Sequence, residues 1–524
     1  MNFSAIDFIV FAIYCVVVIG LGLWVSREKK GVQKDSKDYF LASKALPWWA
    51  VGASLIASNI SAEQFIGMSG SGFAIGMGIA SYEFMAAITL IIVAAFFLPI
   101  YLERGIYTMP QFLEQRFDKR VKTIMAIFWL LVFVFVNLTS VLYLGALAIQ
   151  SMMNINLIWG IILLALFALV YSIYGGLKAV AWTDVIQVVF LIGGGLVTTF
   201  VAFKLLGGGD FFNGVQELSV KASDKFNMIL DKDHPSYKEL PGLGVLIGGL
   251  WVANLYYWGC NQYIIQRALA AKSVNQAQMG LVFAGFLKIV LPLIVVVPGI
   301  ICYVMVQNGT IGDIGKPDNA YPVLLSMIPA GVRGLAFAAL VAAIVSSVAT
   351  MMNSVASIFT MDVYASFIDK NASEKKKVTV GRITGVAALI IAILVAPVLS
   401  NLEQAFQYIQ EFTGFVSPGA LAIFLAGFFY KKATANGALA AAIGTFVFSV
   451  LFKMIFPEIP FMDRMGYVFL LCFALIVLFA LIEKKPVDVE KVSYRKDLFK
   501  TSTAFKIGAA VIAALLVYIY YIWW

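Results

Sequence analysis

The chain alternates apolar stretches with short polar ones along its whole length. Each apolar stretch has about 20 residues, the length that an α-helix needs to cross a membrane. The pattern predicts an all-α polytopic membrane protein with fourteen membrane helices, approximately at residues 6–25, 47–70, 78–100, 122–150, 156–174, 181–205, 243–265, 278–305, 331–360, 380–399, 402–430, 433–455, 464–483 and 504–523.

Two of these spans are too polar to face lipid. In the second span, residues 53–65 include serines, an asparagine, a glutamate and a glutamine. Lipid offers these groups no hydrogen-bond partner, so this helix must line a polar interior, where its small residues allow it to unwind. The seventh span has a similar interruption at residues 251–259. We predict that the two interrupted spans form the two halves of one binding site.

The positions of the interrupted spans predict two inverted repeats. Each interrupted span begins a block of five helices, and five crossings give the two blocks opposite orientations, as in many secondary transporters. The predicted organisation is an extra N-terminal helix with a cytoplasmic loop, a first repeat, an external loop, a second repeat and three peripheral helices, at residues 1–45, 46–205, 206–242, 243–430 and 431–524.

The basic residues predict the orientation of the chain. The loops at 27–44, 104–122, 178, 267–272, 370–382, 431–432 and 484–500 hold 27 Lys and Arg residues, whereas the short loops on the other side hold only Lys316, Arg333 and Arg464. Basic loops stay in the cytoplasm, so both termini are predicted to lie outside. The first span lacks a basic leader and a cleavage site, and we expect it to be a retained helix.

Composition excludes several other classes of protein. Only 13% of residues are charged, against about 25% in soluble domains. The net charge of +9 is explained by the cytoplasmic loops, so a nucleic-acid partner is not indicated and the bilayer is the expected environment. The cysteines and the single histidine have no spacing typical of a disulfide framework or a metal site: Cys15, Cys260, Cys302, Cys472 and His234.

Charged and amide side chains inside the spans are candidate substrate ligands. Glu83 and Lys288 lie in membrane spans, where a charge costs at least about 2.5–3.5 kcal/mol. They either form a structural ion pair or bind a ligand. Together with the amides of Gln64, Asn254 and Gln410, they suit a neutral ligand with many hydroxyl groups. An anionic ligand would favour an intramembrane arginine, and the sequence places none in the core.

Aromatic residues accompany these polar groups. Tyr82, Tyr257, Trp258 and Phe406 lie next to them in the sequence. Such residues either contact a ligand or belong to ordinary packing and the interfacial aromatic belt. The sequence leaves both interpretations open.

A second constellation favours a monovalent cation. Ala343, Ser346 and Ser347 are spaced i, i+3 and i+4, so one helical face presents two hydroxyl groups. Neutral oxygen ligands suit sodium better than calcium or zinc. The alternative is that the serines bond to their own helix. Asp184, which follows Thr183, is either a station for a departing cation or an interfacial charge.

Several long motifs in the same order resemble the sodium/solute symporter family, and within it the sodium-coupled sugar transporters. The motifs are ASLIASNISAEQFIG at 53–67, YSIYGGLKAVAWTDVIQ at 171–187, WVANLYYWGCNQYIIQ at 251–266, AAIVSSVATMMN at 342–353 and QAFQYIQEFTG at 404–414. The resemblance covers nearly the whole chain. It implies a LeuT-like five-plus-five core in the plasma membrane and sodium-driven uptake of galactose or glucose.

The resemblance also implies roles for individual residues. Sugar contacts are implied for Gln64, Glu83, Asn254, Tyr257, Lys288 and Gln410, with Met68, Tyr82 and Phe406 closing the outer side and Tyr257 the inner side. Sodium is implied to bind carbonyls of Ala57, Ile60 and Ala343 and hydroxyls of Ser346 and Ser347, with Asp184 on its exit route. The chain departs from the galactose-transporting members at Ala86, where those have a sugar-contacting serine.

Two further functions compete with sugar symport. A sodium-coupled inositol or polyol symporter would keep the same fold. A sugar sensor would need an output domain, and the cytoplasmic loops are too short to provide one. An enzyme is not expected, because Glu83 and Lys288 are the only charged pair in the predicted core. The sequence leaves the substrate among these sugars, the sodium stoichiometry and the oligomeric state open.

Overall fold

The computed structural model describes residues 3–26, 36–401, 405–484, 494–495 and 497–524. This part of the chain is helical, and its only β-pairing is an isolated bridge between Leu46 and Ala271. Some predicted features lie outside the described residues. They are the cytoplasmic charges within 27–35, within 485–493 and at 496, and the first three residues of the span predicted at 402–430.

The helices follow the predicted order. The helices before residue 230 are α1 (Ala5–Ser26), α2 (Ser36–Leu41), α3 (Trp48–Asn59), α4 (Ser69–Ala74), α5 (Ser81–Ile92), α6 (Leu98–Glu103), α7 (Met109–Arg116), α8 (Lys119–Val132), α9 (Thr139–Met153), α10 (Leu157–Leu206) and α11 (Phe211–Lys221). Those after it are α12 (Leu243–Ile247), α13 (Gly249–Gly259), α14 (Gln262–Leu269), α15 (Val274–Val290), α16 (Pro292–Val295), α17 (Val297–Gln307), α18 (Ala320–Met327), α19 (Val332–Ile358), α20 (Glu374–Val395), α21 (Ala405–Thr413), α22 (Ser417–Phe429), α23 (Ala435–Ile455), α24 (Phe461–Glu483) and α25 (Thr503–Ile522).

Irregular helical turns extend several of these helices. The π-helical turns are Glu63–Met68, Val93–Phe97, Phe133–Leu138 and Phe359–Ile368. The 3₁₀ turns are Ala42–Lys44, Met77–Ala80, Ser223–Phe226, Pro317–Asn319 and Ala396–Asn401. The apolar pattern does not predict the π-helical turns, because they shift the backbone hydrogen bonds without changing that pattern.

Both of the spans that were predicted to be interrupted contain a break. α3 ends at Asn59, and Ile60 is extended, with φ −76° and ψ 117°. The freed amides find side-chain partners, since the Ser61 N–H donates to Gln64 Oε1 at 2.8 Å. Such side chains replace the backbone hydrogen bonds that a break removes, as burial in a membrane requires.

The second interruption is built in the same way. α13 ends at Gly259 and Asn261 is extended, with φ −87° and ψ 124°, before α14 begins. The Gly259 carbonyl at the break accepts a hydrogen bond from the Tyr101 hydroxyl at 2.7 Å. The stretch at 251–259 that was predicted to be interrupted is itself helical, and the break follows it at Cys260 and Asn261. The polar composition therefore indicated which two spans are broken, but it placed the second break too early.

Nine helical stretches of the described chain are long and apolar enough to cross a membrane, and a tenth is the pair α15 and α16–α17, bent by 41°. The other four predicted spans are the two interrupted ones and two shorter apolar helices at Leu157–Val170 and Ser417–Phe429. None of these four has a single unbroken helix long enough to cross a membrane by itself. The count of fourteen therefore stays a prediction.

The spans predicted at 156–174 and 181–205 form one helical stretch, α10, bent at Gly176. This glycine has φ 59° and ψ −156°. A Cβ atom there would lie 2.5 Å from the Tyr39 carbonyl oxygen. Only glycine adopts this backbone without strain, so it allows α10 to change direction between the two predicted spans.

Burial shows which helices form the centre of the molecule. α19 with its π-helical extension is almost wholly buried and packs along α10 and α3. In contrast, the outermost helices α1 and α25 leave most of their apolar residues exposed, as expected where lipid replaces water. α3, α10, α14 and α19 therefore meet in the interior, where the candidate sites lie.

Candidate substrate and sodium sites

A cavity lies beside the break between α3 and the turn Glu63–Met68. The cavity has a volume of about 60 Å³, room for a few water molecules, so its lining side chains lie close together in this structure. It is lined by Asn59, Glu63, Gln64, Tyr82, Glu83, Ala86, Ala253, Asn254, Tyr257, Trp258, Lys288, Phe406, Gln410, Thr413, Gly414, Ser417 and Met465. All six predicted substrate ligands are among these residues.

A buried ion pair forms one wall of the cavity. The Lys288 ammonium donates hydrogen bonds to Glu83 Oε2 and to Asn59 Oδ1, and it lies 5.0 Å from the ring centre of Trp258. The side chains of Lys288 and Glu83 are 1% and 4% exposed. Glu83 keeps its second carboxylate oxygen for another donor, so the pair combines a structural contact with an acceptor for a ligand hydroxyl.

Next to the Glu83–Lys288 pair, Tyr257 connects the two broken helices. Its hydroxyl oxygen accepts hydrogen bonds from Asn59 Nδ2 at 2.9 Å and from the Tyr263 hydroxyl at 2.6 Å. Asn59 ends α3 and Tyr263 belongs to α14. Asn59 is thereby the shared partner of Lys288 and Tyr257, and it links the charged wall to the predicted inner gate.

Two of the three predicted outer-gate residues touch each other at the cavity. The rings of Tyr82 and Phe406 meet edge to face, with centroids 5.4 Å apart and an interplanar angle of 78°. The Tyr82 hydroxyl is buried without a hydrogen-bond partner. The third residue, Met68, is fully buried and does not line the cavity. Tyr82 and Phe406 therefore line the cavity, whereas Met68 does not.

Asp184 is the centre of a polar cluster between α3, α10, α14 and α19. Its two carboxylate oxygens accept hydrogen bonds from the hydroxyls of Ser54 and Ser346, both at 2.5 Å. Its side chain is fully buried. Asp184 is therefore enclosed by protein, and its role on the path of a departing cation stays a prediction.

Ser347 lies at the break in α3. Its hydroxyl donates to the carbonyl oxygens of Ser58 at 3.1 Å and Ile60 at 3.4 Å. Ser346 and Ser347 therefore bond to other helices rather than to their own, which was the alternative. Ala57 and Ala343, whose carbonyls the resemblance assigns to sodium, are fully buried in the same region. The break, the serine pair and Asp184 thus present several oxygen atoms to one small volume.

The prediction that the core contains no arginine is wrong. Arg267 was assigned to a cytoplasmic loop, but it lies in α14 and is fully buried. Its Nη2 atom donates to the Thr350 hydroxyl and lies 3.7 Å from Asp184 Oδ2. Arg267 balances the charge of Asp184 and does not line the substrate cavity. A neutral substrate is therefore still the interpretation that fits the cavity.

Sequence reasoning missed several residues that line the cavity. Asn59 and Glu63 belong to the polar stretch at 53–65, so the composition of that stretch was the available signal. Glu63 accepts a hydrogen bond from the Ser140 hydroxyl at 2.8 Å. Met465 comes from α24, nearly two hundred residues from the closest broken helix, and no sequence pattern points to it.

Comparison with known proteins identifies the family. A model of the sodium:solute symporter family matches residues 39–444. The chain belongs to this family. It is 55% identical to a sodium/glucose cotransporter of Vibrio parahaemolyticus, over 99% of this chain and 98% of the relative. It is 33% identical to the sodium/myo-inositol cotransporter 2 of Mus musculus, over 83% of this chain and 68% of the relative.

Solved structures of transporters share the fold. A Na⁺-coupled sialic acid symporter in a substrate-bound outward-open state superimposes with a TM-score of 0.81 at 23% identity, covering 92% of this chain and 98% of that one. A nucleobase-cation-symport-1 transporter in a closed conformation gives a TM-score of 0.51 at 14% identity, covering 91% and 99%. At these identities the likeness concerns the fold alone. The family and the nine or ten apolar helical spans of the described residues together identify a multi-pass membrane transporter.

Proposed function

We propose that this protein is a secondary active symporter that couples sodium entry to the uptake of galactose or glucose. The observation that carries the proposal is the cavity at the α3 break, where a buried carboxylate, an ammonium group, amides and aromatic rings converge. The 55% identity to a sodium/glucose cotransporter over nearly the full length of both chains supports the same conclusion. The expected location is the plasma membrane.

The proposed architecture has fourteen membrane helices and both termini outside. Residues 46–205 and 243–430 are the two inverted repeats, residues 1–45 and 431–524 add outer helices, and residues 206–242 form an external loop. The broken helices α3 and α13 lie near the start of the two repeats, which is the position that paired broken helices occupy in inverted-repeat transporters.

In the sugar site, Glu83 accepts hydrogen bonds from sugar hydroxyls while Lys288 donates to sugar oxygens. Gln64, Asn254 and Gln410 each offer both a donor and an acceptor. Tyr257 stacks on the sugar from the inner side, and Tyr82 and Phe406 cover the outer side. The support is that all of these side chains line one cavity.

In the sodium site, the ion binds between the α3 break and α19. Its ligands are carbonyls of Ala57, Ile60 and Ala343 and hydroxyls of Ser346 and Ser347, and Asp184 receives the ion as it leaves. The bonds from Ser347 to the Ile60 carbonyl and from Ser346 to Asp184 support this assignment. An ion here steadies the broken helix, so the sugar finds its ligands in place.

Coupling follows from a difference in affinity between the outward-facing and inward-facing states. One sodium ion supplies about 2.3 kcal/mol per 100 mV and about 1.4 kcal/mol per tenfold gradient. The sum of about 3.7 kcal/mol sustains roughly 500-fold accumulation of sugar.

Uptake into proteoliposomes tests the proposal. Labelled galactose, glucose and myo-inositol are each supplied with an inward sodium gradient and then with an equal potassium gradient. We expect sodium-dependent accumulation of galactose or glucose. Equal uptake under both gradients would contradict symport, whereas accumulation of myo-inositol alone would favour the polyol symporter, the function in the name of the 33%-identical mouse relative.

A further inference from the structure

α21 places two adjacent side chains in different surroundings. Gln410 lines the substrate cavity, whereas the next residue, Glu411, points to α23 and α24. Its Oε1 atom accepts a hydrogen bond from Arg464 Nη2 at 2.9 Å and lies 3.2 Å from Lys453 Nζ. These three residues are called the Glu411 cluster. It connects α21, which also carries the gate residue Phe406, to two helices of the C-terminal segment.

The Glu411 cluster lies at the contact between α21 and α24, which is called the seam. This seam leads to the substrate cavity. A second, smaller void is lined by Glu411, Gly414, Phe415, Ser449, Lys453, Phe461, Arg464 and Met465. Gly414 and Met465 line both this void and the substrate cavity. A separation of α21 from α24 would therefore open a path between the two spaces.

Close packing brings the two sides of the seam together. A Cβ atom at Gly414 would lie 2.5 Å from the Met465 sulfur, so a larger residue there would displace the Met465 side chain. The Ser417 hydroxyl lies 3.9 Å from the same sulfur. Because Met465 follows Arg464 directly, the ion pair and the sulfur contact move together. The seam thus has one charged contact and one apolar contact.

The exposure of the cluster suits a contact that opens and re-forms. The side chains of Glu411, Arg464 and Lys453 are 23%, 14% and 43% exposed. Partly exposed ion pairs are much weaker than buried ones, because water competes for both charges. The cluster is therefore strong enough to favour one position of α21 without locking it.

We propose that the Glu411 cluster is a latch that holds α21 against α24 and so positions Gln410 and Phe406 around the substrate. These are positioning residues, since none of the three lines the substrate cavity. Opening the latch exposes the cavity and lowers the affinity for sugar. The effect on sugar affinity rests on the proposed function, whereas the effect on exposure does not.

Thiol labelling measures the exposure directly. Thr413 lines the cavity next to the seam, so a Thr413→Cys probe is introduced together with Cys15→Ala, which removes the native cysteine that is not buried. The purified protein reacts with a maleimide in detergent, which gives the reagent access to both faces. Arg464→Gln should raise the labelling rate up to about fivefold, the factor that corresponds to a partly exposed ion pair.

Two control variants make the test specific. Arg464→Lys keeps the charge, and the present contact uses a single nitrogen, so this variant should label at the parent rate. Glu458→Gln breaks an exposed ion pair with Lys238 that lines neither void, and it should also have no effect. An unchanged rate in Arg464→Gln, or an equal rise in Arg464→Lys, would overturn the latch.

Uptake kinetics then test the consequence for transport. In Arg464→Gln we expect KM for sugar to rise up to about fivefold, with the sodium dependence unchanged. Absence of sodium-driven uptake in the parent protein would contradict the proposed function. The labelling rates would still show whether the Glu411 cluster holds α21 against α24. Faster labelling with an unchanged KM would overturn the claim that the latch positions Gln410.

Discussion

The Glu83–Lys288 pair allows a structural role to be separated from a role in sugar binding. Glu83→Gln alone leaves the Lys288 charge buried without its counter-ion. Removing one partner of a buried pair costs about 3–5 kcal/mol, and the side chains here are only 1% and 4% exposed. We therefore expect the single variant to unfold at a lower temperature in detergent than the parent protein.

Neutralising both residues should restore much of this stability. Glu83→Gln with Lys288→Gln leaves no buried charge without a counter-ion, and the two amides have both donors and acceptors for hydrogen bonds to each other. Sugar binding should stay weak in both variants, because each loses hydrogen bonds to charged groups worth about 1.5–3 kcal/mol apiece, or about ten- to hundredfold in Kd.

Binding of labelled sugar in sodium buffer, measured beside thermal unfolding, checks both expectations. Glu103→Gln is the matched control, since Glu103 forms an exposed pair with Arg495 far from the cavity lining. If the double variant binds sugar as tightly as the parent, the pair is structural and the proposed sugar site is wrong.

Three further substitutions test the sodium site, the substrate preference and the packing. Ser347→Ala removes a proposed sodium ligand, so the sodium concentration for half-maximal uptake should rise about fivefold. Ala86→Ser adds a hydroxyl to the cavity wall and should raise galactose uptake relative to glucose in a competition assay. Gly299→Ala places a Cβ atom 1.9 Å from the Ser69 carbonyl oxygen and should reduce the yield of monodisperse protein in size-exclusion chromatography.

Two matched controls accompany these variants. Ser357→Ala removes a buried hydroxyl from the same helix, α19, that bonds only to its own helix at 3.0 Å, and it should leave the sodium dependence unchanged. Gly193→Ala adds a Cβ atom with no heavy atom within 4 Å and should not reduce the yield. An unchanged sodium dependence in Ser347→Ala, an unchanged sugar ratio in Ala86→Ser or a normal yield of Gly299→Ala would contradict the respective assignment.

Much of the substrate cavity was predictable because polar groups in a membrane are costly. Charged and amide side chains inside an apolar span indicate a functional site. In this chain they are Glu83, Lys288, Gln64, Asn254 and Gln410. The two broken spans were predictable for the same reason, since polar and small residues interrupt otherwise apolar stretches. The cavity brings all five of these side chains together.

The remaining features depend on contacts that a linear pattern does not encode. Arg267 lies five residues before Lys272 and looked like part of a basic loop, but its partners Asp184 and Thr350 come from distant helices. The contribution of α24 to the cavity depends on how close Met465 approaches Gly414, which packing alone decides.

The central claim is that sodium and sugar cross the membrane together. The most direct test is whether a sugar gradient drives the movement of sodium. Proteoliposomes with equal sodium on both sides and the membrane potential clamped at zero receive an inward galactose or glucose gradient, and entry of labelled sodium is followed. Because coupling is reciprocal, the sugar gradient alone should drive net sodium entry. Sugar entry without any movement of sodium would contradict symport.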